Sequence, residues 1–111
     1  MTEERAARAP QGTESAEGDQ EYTADLALRV RNELGLHARP AGQLAKEAQK
    51  FMAQVWVLVD DRQADAKSVL DILSLAVGQG QRVRLKAHGP DAHDAVDHLS
   101  DLFHNLFGEA K

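Results

Sequence analysis

Cysteine is absent from the 111 residues. That removes disulfide frameworks, thiolate zinc sites and cysteine nucleophiles, and it fits a reducing compartment. Long apolar runs are missing too. The most apolar stretch, Val69 to Val77, is broken by Asp71 and Ser74 and is too short to span a bilayer. The opening Met1-Thr2-Glu3-Glu4 lacks the apolar core of a signal peptide. The expected location is the cytoplasm, without membrane insertion.

Excess positive charge is also lacking. The net charge is -5, and residues 1–21 hold six acids against Arg5 and Arg8, so nearly all of it lies in that segment. The remaining ninety residues are close to neutral, which gives no electrostatic basis for a nucleic-acid partner. The same segment is rich in Glu, Gly, Gln and Ala, with no apolar period. It reads as a disordered acidic tail, followed by one domain over residues 22–111.

From Thr23 the pattern changes. Ala24, Leu26, Leu28 and Val30 alternate with Thr23, Asp25, Arg29 and Arg31, which predicts a half-buried strand. Asn32 to Gly35 read as a loop. Ala41, Leu44, Ala45, Ala48 and Phe51 fall on one helical face. Pro40 is tolerated in that helix's first turn, so the helix is expected to begin near His37 or Ala38. Ala53, Val55, Val57 and Val59 predict a second strand, with Trp56 and Leu58 on its other face. Asp60-Asp61 form a turn into a short third strand over Gln63 to Ala66. Ser68 is a good N-cap for an apolar helix running to Val77, stopped by Gly78 and Gly80. Val83, Leu85 and Ala87 make a fourth strand. Pro90 lies near the first position of a last helix. That helix buries Ala92, Ala95, Val96, Leu99, Leu102, Phe103 and Leu106, and Gly108 ends it. The order βαββαβα predicts a two-layer α+β domain with three helices on one face of a four-stranded sheet.

The informative segment is Gly35-Leu36-His37-Ala38-Arg39-Pro40-Ala41. It delivers a histidine to the start of a helix, where the first backbone N–H groups have no intrahelical acceptor. Those amides, here of Ala38 and Arg39, favour a negative group just beyond the helix end. A phosphoryl group on the imidazole of His37 would lie there. The same partial charge disfavours imidazolium, and the neutral ring is the nucleophile. Arg39 adds a cation suited to phosphate. On these residues alone, a plain surface or capping histidine fits as well.

The seven residues resemble the signature of HPr, the phosphocarrier family of the bacterial phosphoenolpyruvate:sugar phosphotransferase system. The resemblance continues through Ala66-Lys67-Ser68-Val69-Leu70 and Gly78-Gln79-Gly80, and it spans roughly residues 22 to 108. It implies an open-faced sandwich with an antiparallel sheet ordered 1-4-2-3. It implies phosphorylation of His37 at Nδ1, assisted by Arg39, and no cofactor. It implies enzyme I as donor and enzyme IIA as acceptor, so the chain is a phosphotransfer intermediate and turnover belongs to its partners. Ser68 matches a serine that a dedicated kinase, HPr kinase/phosphorylase, modifies in many relatives. Val69 and Leu70 match apolar partner-docking positions. The expected state is a monomer.

Three departures stand out. Asp71 occupies a position that is often glycine. Leu34 stands three residues before His37, where many relatives carry a small polar residue. The acidic tail is unusual. His88, His93, His98 and His104 gather late in the chain without metal-ligand spacing and read as solvated surface. Two other functions compete with the carrier. One is a regulatory HPr-like module whose phosphorylation state controls a kinase or transcription factor without moving sugar. The other is a small-molecule-binding domain, which leaves the seven-residue match unexplained.

Overall fold

A computed structural model of the protein describes residues 22–109. The expected tail lies outside them. The chain forms β1 (Thr23–Arg29), α1 (Ala38–Ala48), β2 (Gln54–Val59), β3 (Arg62–Asp65), α2 (Val69–Ser74), β4 (Arg82–His88) and α3 (Ala92–His104). A short 3₁₀ turn, Leu106–Gly108, follows. The four strands form one antiparallel sheet in the order β1-β4-β2-β3. This is the α+β open sandwich expected from the sequence.

Alternation fixes which face is covered. Val83, Leu85 and Ala87 of β4 and Val55, Val57 and Val59 of β2 are buried. They pack with Ala41, Leu44 and Ala45 of α1, Ile72 of α2 and Leu99 and Phe103 of α3. The other face carries Arg82, Arg84, Lys86 and His88 of β4, with Trp56 and Leu58 half-buried beside them. On the edge strand β1 the burial is looser. Ala24 is buried, but Leu26 is exposed and Leu28 half-buried.

Four boundaries depart from the sequence reading. β3 runs one residue earlier than expected, Arg62–Asp65. α2 ends at Ser74 instead of Val77, and Ala76, not a glycine, takes the left-handed turn at φ 53°. Pro90 lies outside α3, because Asp91 occupies the N-cap. The Asp91 carboxylate accepts from the N–H groups of Met52 and Ala53 at 2.9 and 2.8 Å, tying α3 to the chain just before β2. After α3 the backbone turns left-handed at Leu106 and Phe107 (φ 55° and 54°). Phe107 is therefore the residue buried, edge-on to Phe103 with ring centroids 4.9 Å apart, and Leu106 is only half-buried. No helix of the described residues is long and apolar enough to cross a membrane.

Candidate functional site

His37 occupies the N-cap of α1 in extended backbone conformation, and its own side chain does not cap the helix. Its carbonyl accepts the first helical bond, from the Ala41 N–H at 2.9 Å. Ala38 and Arg39 follow, both exposed. Their N–H groups belong to the first turn, whose amides point past the helix end. Pro40 has no N–H and is buried. The ring, the two amides and the Arg39 side chain thus share one accessible end of α1.

The loop before His37 is tightly located. The Leu36 N–H donates to the Val77 carbonyl at 3.0 Å. Gly35 has φ +69°, and a Cβ there would run into the Val77 carbonyl oxygen and the Gly78 backbone. Only glycine suits both the dihedral and the close approach. Gln79 Nε2 donates to the Arg31 carbonyl at 3.1 Å, a second tie between the same two loops.

Two residues complete the site that the sequence reading did not single out. Glu109 Oε2 lies 2.8 Å from His37 Nε2. Asn32 Nδ2 donates to Glu109 Oε1 at 2.9 Å and to the Gly35 carbonyl at 2.7 Å. Asn32 is 1% exposed, and its Oδ1 has no hydrogen-bond donor among the described residues. The His37 side chain is 34% exposed and that of Glu109 17%. The Asn32 amide, then the His37 ring, hold the Glu109 carboxyl below the usual carboxylate range, and Arg39 adds a smaller pull. Asn32 stands in the loop before α1, and Glu109 follows the short 3₁₀ turn after α3. Neither carries a motif, because their meeting with His37 depends on how the chain turns after α3.

Ser68 is half-buried at the N-cap of α2, and its Oγ accepts from the Asp71 N–H at 3.3 Å. Asp71 answers by accepting from the Asp65 N–H at 3.3 Å. Val69 and Leu70 are 37% and 79% exposed. Leu34 and Met52 are also exposed. α1 packs against α2.

The late histidines are dispersed. His98 is more than solvated surface: Nε2 lies 2.6 Å from Glu47 Oε1, and the ring tilts against Phe51 at 5.5 Å. His88 Nδ1 is 3.1 Å from Thr23 Oγ1. His93 and His104 are exposed.

The family described as "PTS HPr component phosphorylation site" matches residues 25–105. The chain belongs to the HPr family. "Phosphocarrier protein HPr" of Cupriavidus necator is 44% identical over 82 residues, covering 74% of this chain and 92% of the relative. The crystal structure of an HPr from Thermoanaerobacter tengcongensis superposes with a TM-score of 0.77 at 41% identity, over 79% of this chain and 99% of that one. A "Multiphosphoryl transfer protein" of Haemophilus influenzae is 40% identical over 83 residues, which make up 72% of this chain but only 17% of that protein. HPr-type sequence is thus also found inside a much longer chain. In this HPr chain the signature histidine is the residue at the N-cap of α1.

Proposed function

We propose that the protein takes a phosphoryl group from phosphorylated enzyme I onto Nδ1 of His37 and yields it to an enzyme IIA of the sugar phosphotransferase system. The observation that carries this reading is the placement of His37. Its ring is partly exposed at the helix end, and its Nε2 edge faces Glu109, so the Nδ1 edge is the one available to a donor.

The chemistry needs little more than position and charge. The Nδ1 lone pair attacks phosphorus, and the N–P bond forms as the donor's bond to phosphorus breaks. The phosphoryl oxygens then meet the Ala38 and Arg39 amides and the Arg39 guanidinium, all donors. Transfer onward is the same step with the roles exchanged. No cofactor enters it. The chain serves as an intermediate, and its location follows that of its partners, the cytoplasm.

Val69 and Leu70 supply an apolar contact for those partners beside the site. Ser68 is the control point: a kinase of the HPr kinase/phosphorylase type would place about -1.5 to -2 charges at the edge of the docking surface. The protein acts as a monomer, with residues 1–21 as an extension of the 22–111 domain.

Incubation with enzyme I and labelled phosphoenolpyruvate tests the reading. The expected result is acid-labile, alkali-stable label on His37 that passes to an enzyme IIA and is absent from His37→Ala. Unlabelled parent protein, or label retained by His37→Ala, overturns it.

A further inference from the structure

We propose that Glu109, held by Asn32, is a positioning residue that selects the nitrogen at which His37 reacts. The inference rests on the carrier reading above and adds to it a cause for the choice of Nδ1.

A neutral imidazole carries one N–H and one lone pair, and what each nitrogen faces decides which is which. An ionised carboxylate only accepts. With Glu109 Oε2 2.8 Å from Nε2, the N–H belongs on Nε2 and the lone pair on Nδ1. The opposite tautomer would set the Nε2 lone pair against a negative oxygen. As the bond to phosphorus forms, the ring gains positive charge, and Nε2–H carries part of it toward the carboxylate. The proton stays on Nε2 throughout, so no base has to remove it and none has to return it when the group leaves.

The second carboxylate oxygen is fixed in its turn. Asn32 Nδ2 donates to it, and also to the Gly35 carbonyl in the loop that delivers His37. The amide orientation is determined, since the flipped form would point Oδ1 at two acceptor oxygens. Burying Oδ1 with no donor among the described residues disfavours the fold, yet the arrangement spends its one NH₂ group on joining the loop to the acid. A carboxylate suits this place because both neighbours, Asn32 Nδ2 and His37 Nε2, are donors. A glutamine would offer one acceptor and one donor: with its oxygen held by Asn32, its NH₂ would face Nε2 and favour the opposite tautomer, with the N–H on Nδ1.

The test uses the full chain as parent, Glu109→Ala, Glu109→Gln and Asn32→Ala. Ring ¹⁵N spectra at a pH where the ring is neutral report its tautomer, and initial rates of labelling by enzyme I report transfer. The parent should show the Nε2–H form. Glu109→Ala should move the ring signals toward a mixture of tautomers and slow labelling roughly tenfold or more, as loss of a carboxylate that orients a histidine does elsewhere. Asn32→Ala should fall between, and Glu109→Gln should shift the ring further toward the Nδ1–H form and slow labelling at least as much as Glu109→Ala. Backbone amide spectra confirm that each variant is folded. A parent that labels on His37, together with Glu109→Ala matching it in tautomer and rate, overturns this proposal and leaves the carrier reading intact. A parent that takes no label overturns the carrier reading itself.

Discussion

The Leu36 N–H donates to the Val77 carbonyl, so the loop that presents His37 is fastened to the segment that follows α2. That one bond joins the His37 end of α1 to the chain leaving Ser68, Val69 and Leu70. Position at the first surface therefore depends on backbone packing at the second.

Gly35→Ala should disrupt this junction. Alanine at φ +69° costs about 1–2 kcal/mol in backbone strain alone, and its Cβ would press on the Val77 carbonyl. Denaturant titration should show the loss in stability. Labelling of His37 should slow further than the unfolded fraction explains, because the loop itself is displaced.

Stability should fall in acid, and the sign follows from three carboxylates. Glu109 is held below its ordinary value by Asn32 and His37, Glu47 by His98 and Lys50, and Asp91 by the Met52 and Ala53 amides. A carboxyl that ionises more readily when folded stabilises the fold above its unfolded pKa and loses that contribution as pH drops through its folded one. Urea midpoints should hold steady near neutrality and decline below about pH 4.5. Asp91→Asn should flatten part of that decline and lower the midpoint at pH 7.

Ser68 separates capping from charge. Ser68→Ala removes the acceptor for the Asp71 N–H and should cost about 1 kcal/mol, with affinity for enzyme I nearly unchanged. Ser68→Asp keeps a good cap and should match the parent in stability. It adds a negative charge beside Val69 and Leu70, so affinity for enzyme I should fall, measured by calorimetric titration. Equal affinity for the two variants would remove Ser68 from the docking surface.

Leu70 gives the complementary case. At 79% exposure it contributes little to the core, so Leu70→Glu should shift stability by no more than about 0.5 kcal/mol. Binding to enzyme I should weaken about tenfold or more, as for an apolar anchor at an interface. Unchanged binding would move the docking surface elsewhere.

The strands, the sheet's covered face and the start of α1 were legible in the sequence because each rests on a local period. β4 is the clearest: Val83, Leu85 and Ala87 point in, and Arg82, Arg84 and Lys86 point out. The ends of α2 and α3 were not legible. Glycine normally marks a left-handed position, but here Ala76, Leu106 and Phe107 take it, and burial of Phe107 against Phe103 outweighs the local preference. His37, Arg39 and Ser68 were found from motifs. Asn32 and Glu109 were missed for a different reason, since a contact between residues 32 and 109 has no local signature.

Leu106, Phe107 and Gly108 all have positive φ, between 54° and 79°. Three such residues in succession reverse the chain's handedness as it leaves α3, and only two of them are non-glycine. The separation between acid and imidazole is therefore governed by main-chain curvature, with Phe107 as the pin that keeps the curve closed. A change in that aromatic, remote from any phosphorus chemistry, would reset the geometry of the histidine.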